Sequence, residues 1–349
     1  MPFRLLLLII PIGLAMCGGR QSNETESESR RFKPIDTGVA TVWDRQTTET
    51  ADLLGELVNE FNAANDGLDI KLVHNGNYGD IYRKVTSGIQ AGVLPAMSVA
   101  YETMTSEYVR KGAVAELDPY LQHPEWGYTE EELDDFFPAL LETNRYAEFG
   151  GKTYSFPFTK SVLLMYTNRR VLREVGIDAP PATWVEFLDQ CRRIKSARGN
   201  APLSLDVSAS TFVAMVYSRG GEVMNGREPR FDSPEARETL AFLETLVKEG
   251  LVYQNQPNTF EDQTSFGQDR LAFNFRPSSS LFYVARMMED YDDWIVSMIP
   301  QRDPTNPATV LYGANVCIFD ISEDHKQAAW QFVRFFTSPE ITARWSMGT

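Results

Sequence analysis

Cysteine and histidine are scarce in this 349-residue chain, with three of each. Cys17, Cys191 and Cys317 stand far apart, as do His74, His123 and His325, and no metal-ligand spacing joins them, so neither a metal nor another cofactor is expected. Cys191 falls in a helical pattern and Cys317 in a strand pattern. Two buried free thiols are the expectation, with a disulfide in an oxidising compartment as the alternative. Basic residues are also in short supply: 33 Lys and Arg face 48 Asp and Glu, a net charge of −15. A surface of that sign repels phosphate backbones and argues against nucleic acid as a partner. No apolar run approaches the roughly 20 residues that a membrane-spanning helix needs. A Gly-x-Ser-x-Gly elbow, a Walker loop and short internal repeats are absent too, which removes the readiest signatures of hydrolase and nucleotide chemistry.

What the chain does have begins at its start. Arg4 precedes an apolar stretch over 5–16, broken by Pro11 and Gly13 and closed by Cys17-Gly18-Gly19. A positive start, a short apolar core and an early Cys read as an export signal over 1–17, which places the mature protein outside the cytoplasm, in the periplasm or at the cell surface. Leu14-Ala15-Met16-Cys17 is similar to a lipobox, with Met16 departing from the usual small residue. Cys17 is the expected lipidation site, and 18–35 the flexible tether between membrane anchor and folded domain. An ordinary secretory signal with an incidental Cys is the alternative.

Beyond the tether, strands alternate with helices, the pattern of α/β architecture. The first unit is a strand over 39–43, a helix with Leu54, Leu57, Val58 and Phe61 on one face, a strand at 68–72, a helix with Ile81, Val85 and Ile89, and a strand at 97–101. Thr129 with Glu132, and Thr183 with Glu186, have capping-box spacing, and Ser233-Pro234 marks a third helix start. Leu133, Phe136, Phe137 and Leu140 are expected on one buried face. A strand is expected over 310–319 and a closing amphipathic helix through Ala329, Phe332, Val333 and Phe336. The length allows two domains.

Five segments in order carry a resemblance: 51–65 ending FNAAN; GNYGDIYRKVTSGIQAGVLPAMSVAYE at 76–102; GGKTYSFPFTKSVLLMYTN; PPATWVEF; and FVRFFTSPEITARW. Together they resemble family 1 extracellular solute-binding proteins, the capture subunits of ABC importers for sugars and glycerol phosphates. Gly76-Asn77-Tyr78 and Tyr101-Glu102 are most similar to the glycerol-3-phosphate-binding branch. The resemblance implies an α/β, periplasmic-binding-protein-like (type II) fold: two α/β lobes joined by a hinge, with a ligand cleft between them. Lobe one is then expected over 36–158 plus 301–336 and lobe two over 159–300 plus 337–349, with hinges at 158–161 and 300–302.

In open α/β sheets a ligand sits at the C-terminal ends of the strands. Trp43 and Asp44 end the first strand, while Tyr78 and Glu102 combine position with the resemblance; aromatic faces suit sugar C–H surfaces and carboxylates accept from hydroxyls. Ser161 matches a family residue at the first crossing, and Gly313 lies in a segment from which the family offers backbone contacts. Arg276, Ser278 and Ser279 precede a helix, where free amides favour an anion. Plainer roles stand beside these: core packing for Trp43, a helix cap for Asp44, a hinge serine for Ser161, a surface ion pair for Arg276, caps for the serines and a tight turn for Gly313.

The chain is thus expected to be a monomeric, non-enzymatic solute receptor serving an ABC permease, its ligand a sugar, oligosaccharide or glycerol phosphate. A glycoside-acting enzyme using Asp44 and Glu102, and a receptor feeding a signalling partner, are the alternatives. Two departures bear on the ligand. The glycerol-3-phosphate branch carries tryptophans where this chain has Val207, Ser208, Ser210, Thr211 and Phe212, and the sequence ends at Thr349 where family members continue, so it is expected to be C-terminally truncated.

Overall fold

The computed structural model describes residues 32–205, 208–255, 261–288 and 290–348. The expected export signal with Cys17, the expected tether up to residue 31, and Val207 lie outside the described residues. The main elements run β1 (Ala40–Asp44), α1 (Thr48–Ala64), β2 (Ile70–His74), α2 (Tyr78–Ala91), β3 (Met97–Ala100), α3 (Glu102–Arg110), β4 (Phe156–Pro157) and β5 (Ser161–Asn168). They continue through α4 (Trp184–Arg198), β6 (Leu203–Leu205), α5 (Ala209–Tyr217), α6 (Pro234–Lys248), β7 (Val252–Gln254), α7 (Glu261–Gly267), β8 (Phe273–Pro277), α8 (Leu281–Met288) and β9 (Trp294–Met298). The last are β10 (Leu311–Tyr312), β11 (Asn315–Ile318), α9 (Glu323–Phe336) and α10 (Pro339–Gly348).

These strands form the two large mixed sheets. The first has the order β2-β1-β3-β11-β4, with β1 parallel to β2 and β3 and with β11 antiparallel to both its neighbours. The second has the order β7-β6-β8-β5-β9, and β10 adds to the start of β5. Each sheet has its own core. Leu54, Leu57, Val58 and Phe61 of α1, Ile81 and Val85 of α2, and Trp330, Phe332 and Phe336 of α9 close on the first sheet. Trp184, Phe187, Cys191 and Ile194 of α4 close on Leu203, Phe273 and Phe275 of the second. Each such buried side chain contributes about 1.5–3 kcal/mol relative to exposure, so the i, i+3, i+4, i+7 stripe of α1 is enough to dock it. Cys191 and Cys317 are buried free thiols in separate cores.

Helix starts follow the local chemistry. The Thr129/Glu132 and Thr183/Glu186 boxes form reciprocally, and so does Asn77/Asp80 at the head of α2. The helix that Thr129 opens stops at Asp134, however, and a separate short helix starts at Pro138. Proline disfavours helical geometry at the residue before it, so the expected continuous face breaks up and Phe137 is left 78 % exposed.

Three expectations about chain path change. Residues 310–319 are not one strand: β10 belongs to the second sheet and β11 to the first, and the chain returns between lobes at 313–314. Residues 300–302 lie within the second lobe instead, where Gln301 N donates to Ala182 O (2.8 Å) and Arg302 N to Ser218 O (2.7 Å). The outward crossing is at 158–160, between β4 and β5. The segment from 337 onward, expected with the second lobe, packs on the first: Ile341 joins the first core, Trp345 meets Phe336 and Arg344 Nη1 pairs with Glu60 at 2.8 Å.

Candidate functional site

The two crossings run side by side, and polar groups from both lobes gather there. Glu102 opens α3 directly after β3, and its Oε1 accepts from Asn315 Nδ2 at 2.8 Å and from Lys160 Nζ at 3.3 Å. Lys160 also donates to the Gly313 carbonyl at 3.0 Å. Its side chain is 8 % exposed against 37 % for Glu102, so the ammonium is the sheltered member of the pair and the carboxylate the one that reaches solvent. Ser161 heads β5 and lies in register with Tyr312 of β10. One residue on, Val162 N donates to Ser278 Oγ at 3.3 Å, which brings the turn after β8 to the same place. Glu102, Ser161, Ser278 and Gly313 are therefore brought together, with Lys160 and Asn315 among them.

A second group continues this edge along the first sheet. Tyr78 is the first residue of α2, and its ring centroid is 4.6 Å from that of Tyr101 at an interplanar angle of 56°. The Arg45 guanidinium lies over the Tyr78 ring, 5.1 Å from its centroid. Burial, reinforced by the neighbouring Tyr78, pushes the Tyr101 phenol above its ordinary range, so it remains a hydrogen-bond donor.

Asp44 ends β1, is 2 % exposed and accepts from Gln46 N through Oδ2, while Oδ1 is buried without a partner. Burial raises its pKa against the opposing backbone bonds from Gln46 and Arg45. A carboxyl whose folded-state pKa is raised holds its proton more tightly in the folded protein. The penalty for ionising Asp44 is thus absent below its ordinary value of 3.8 and grows as pH rises through the folded-state value. Asp44→Asn is expected to match the wild type in urea midpoint at low pH and exceed it at pH 7. An equal midpoint difference at both pH values would refute this account.

The remaining expected residues behave differently. Trp43 is buried in the first core, its plainer packing role. Arg276 is not an open anion site: its Nη1 pairs with Asp262 Oδ2 of α7 at 3.0 Å and its Nε donates to Ser280 Oγ at 3.3 Å. Ser278 Oγ accepts from Val162 N, and Ser279 stands exposed on the same turn. Asp44 and Glu102, on which the glycoside-acting alternative rests, are occupied respectively by burial and by Lys160 with Asn315. A cavity of about 1140 Å³ lies at the opposite end of β8, lined by Arg198, Asn200, Tyr253, Thr264 and Arg270, and touches none of these groups. Among the described residues, no three His, Cys, Asp or Glu side chains cluster as a metal site, and no helix is long and apolar enough to cross a membrane.

Residues 56–349 match the family of bacterial extracellular solute-binding proteins. The chain belongs to that family. This solute-binding protein is 22 % identical over 317 residues to the sn-glycerol-3-phosphate-binding periplasmic protein UgpB of Brucella abortus, covering 86 % of this chain and 71 % of the relative. Its fold is that of UgpB from Mycobacterium tuberculosis, solved with glycerophosphocholine, at a TM-score of 0.78 and 20 % identity over 90 % of this chain and 81 % of the other. The sugar-binding protein MalE from Xanthomonas citri superposes with a TM-score of 0.75 at 18 % identity, covering 88 % and 77 %. The two-lobed type II architecture of the solute-binding protein is thereby established.

Three residues of the gathered edge escaped the sequence reading: Arg45, Lys160 and Asn315. Arg45 and Lys160 each adjoin an expected residue, Asp44 and Ser161, so adjacency was the available signal. Nothing local marks Asn315, whose amide reaches Glu102 only because β11 runs antiparallel to β3.

Proposed function

We propose that this solute-binding protein is the capture subunit of an ABC importer, holding a carbohydrate-type solute (a sugar, an oligosaccharide or a glycerol phosphate) between its lobes. It works outside the cytoplasm as a monomer, tethered through lipidated Cys17, and delivers its cargo to the membrane permease without changing it. The reading rests on one observation above all: Glu102, Lys160, Asn315, Ser161 and Ser278, drawn from both lobes, converge where the two crossing segments meet. Hydroxyl-accepting and hydroxyl-donating groups beside the Tyr78–Tyr101 pair match the mixed polar and C–H surface of a polyol. The relatives named above bind such solutes. Closure follows from differential contact, since a ligand touching both lobes favours the state in which they are near each other.

Calorimetry, thermal melts and small-angle scattering on a panel of sugars and glycerophosphodiesters test this. A ligand at 100 times its Kd adds about 2.7 kcal/mol of stability, so a cognate solute is expected to raise Tm by several degrees and to compact the particle. No shift across the panel would overturn the reading. Palmitate labelling of the native protein, lost in Cys17→Ser, tests the anchor.

A further inference from the structure

At the strand-end edge of the first lobe, two basic side chains stand without a salt bridge to an acid. The chain carries a net charge of −15, yet Arg45 sits just past β1 with no ion-pair or hydrogen-bond partner for its guanidinium among the described residues; its contact is the face of Tyr78 at 5.1 Å. Lys84 of α2 joins the same edge, its Nζ donating to the neutral amide oxygen of Asn75 at 2.6 Å. Asn75 in turn donates its backbone N–H to the Asp44 carbonyl at 2.9 Å, which ties it to the residue before Arg45. By contrast, the neighbouring Arg83 is neutralised by Asp80, Lys160 by Glu102 and Arg276 by Asp262. The anions of the edge are committed: Glu102 to Lys160 and Asn315, and Asp44 to burial under the edge. Two cations are left without a salt bridge in an acidic protein that has ample carboxylates to pair them.

We propose that Arg45, held over Tyr78 and supported by Lys84, is a specificity-determining residue that binds an anionic oxygen group, phosphate or carboxylate, on the captured solute. The guanidinium fork matches either group in bidentate fashion, and the Tyr78 ring fixes its plane. The solute's hydroxyls then fall toward Glu102 and its partners, so a polyol with a charged end is read at both ends.

This inference rests on the capture reading, and the experiment separates the two. Calorimetric titrations at low and high salt compare sn-glycerol 3-phosphate, glucuronate, glycerol and maltose, on wild type, Arg45→Gln, Arg45→Lys and Lys84→Gln, each first shown by thermal melt to be folded. At least one anionic probe is expected to bind the wild type tenfold or more tightly than its neutral counterpart, with affinity falling as salt rises. Arg45→Gln is expected to lose that advantage tenfold or more, Arg45→Lys to keep part of it, and Lys84→Gln to lose a smaller share. A preference for glycerol phosphate over glucuronate, or the reverse, identifies which anion is read. Neutral probes that bind as well as anionic ones, or an Arg45→Gln loss equal for both classes, would overturn this proposal and leave the capture reading standing. Binding by no probe of either class would overturn both.

Discussion

Gly313→Ala is expected to destabilise the protein by about 3 kcal/mol and to abolish solute binding with it. Gly313 has φ +81°, and a Cβ built there would lie 1.8 Å from the Thr159 carbonyl oxygen, 2.9 Å from its carbon and 3.1 Å from Lys160 Cα. Every obstacle is backbone, so no rotamer change relieves it. A left-handed L-residue costs about 1–2 kcal/mol, and forcing apart well-packed groups adds about 1–3 kcal/mol. Relief requires separating the outgoing crossing from the returning one, which breaks the Lys160–Gly313 bond and the β5–β10 pairing that draw Ser161 and Glu102 together. Gly92→Ala is the control, because Gly92 has φ +71° with nothing within 4 Å of its built Cβ. That variant is expected to show only the left-handed penalty and to bind normally. Urea denaturation with calorimetry checks both. A Gly313→Ala protein no less stable than Gly92→Ala would show that the crossings are not in contact as described.

Arg276→Met is expected to cost the second lobe about 3–5 kcal/mol, the range for stranding one member of a buried ion pair. Asp262 is 0 % exposed and Arg276 17 %. Without the guanidinium, Asp262 keeps, among the described residues, the 2.8 Å side-chain bond from Asn274 Nδ2, too little to replace the lost solvation of a carboxylate. The double variant Arg276→Met with Asp262→Leu is expected to recover most of the loss, since replacing both partners leaves no buried charge. Chemical denaturation of the wild type, the two single variants and the double variant forms the cycle. A single-variant loss below about 1 kcal/mol, the value of an exposed pair, would place Arg276 at the surface and reopen it as an anion ligand.

These expectations also mark where reading from the sequence stops. The helices α1, α2, α4 and α6 were legible because their apolar stripes and caps are local: Thr183 and Glu186 are three residues apart, and their reciprocal bonds need no other part of the chain. The first strand, the βαβαβ start and the family resemblance follow from similarly short-range patterns. The returning crossing was not legible. Val310 to Phe319 is rich in apolar residues and reads as one strand, but its two halves join different sheets, and Gly313 is distinguished by the Thr159 carbonyl, which approaches from 154 positions earlier in the chain.

Site roles divide the same way. Tyr78 and Glu102 could be picked out because each stands at a strand end or helix start, a place fixed by local pattern. Arg276 looked free because Asp262, the group that neutralises it, lies on a different element and in sequence reads as one more surface acid. Lys160 looked like a hinge residue until β3 brought Glu102 within 3.3 Å of it.

By itself, then, the sequence determined the α/β alternation, the helix boundaries set by caps, the excess of negative charge and the family, because propensity, periodicity and composition act within a few residues or over the whole chain. The tertiary structure alone decided which charges are neutralised, where the chain changes lobes, and which lobe holds the last helix. Those outcomes depend on groups separated by tens to hundreds of residues, and an ion pair or a close backbone contact is set by distance in space, which a linear order of residue types does not contain.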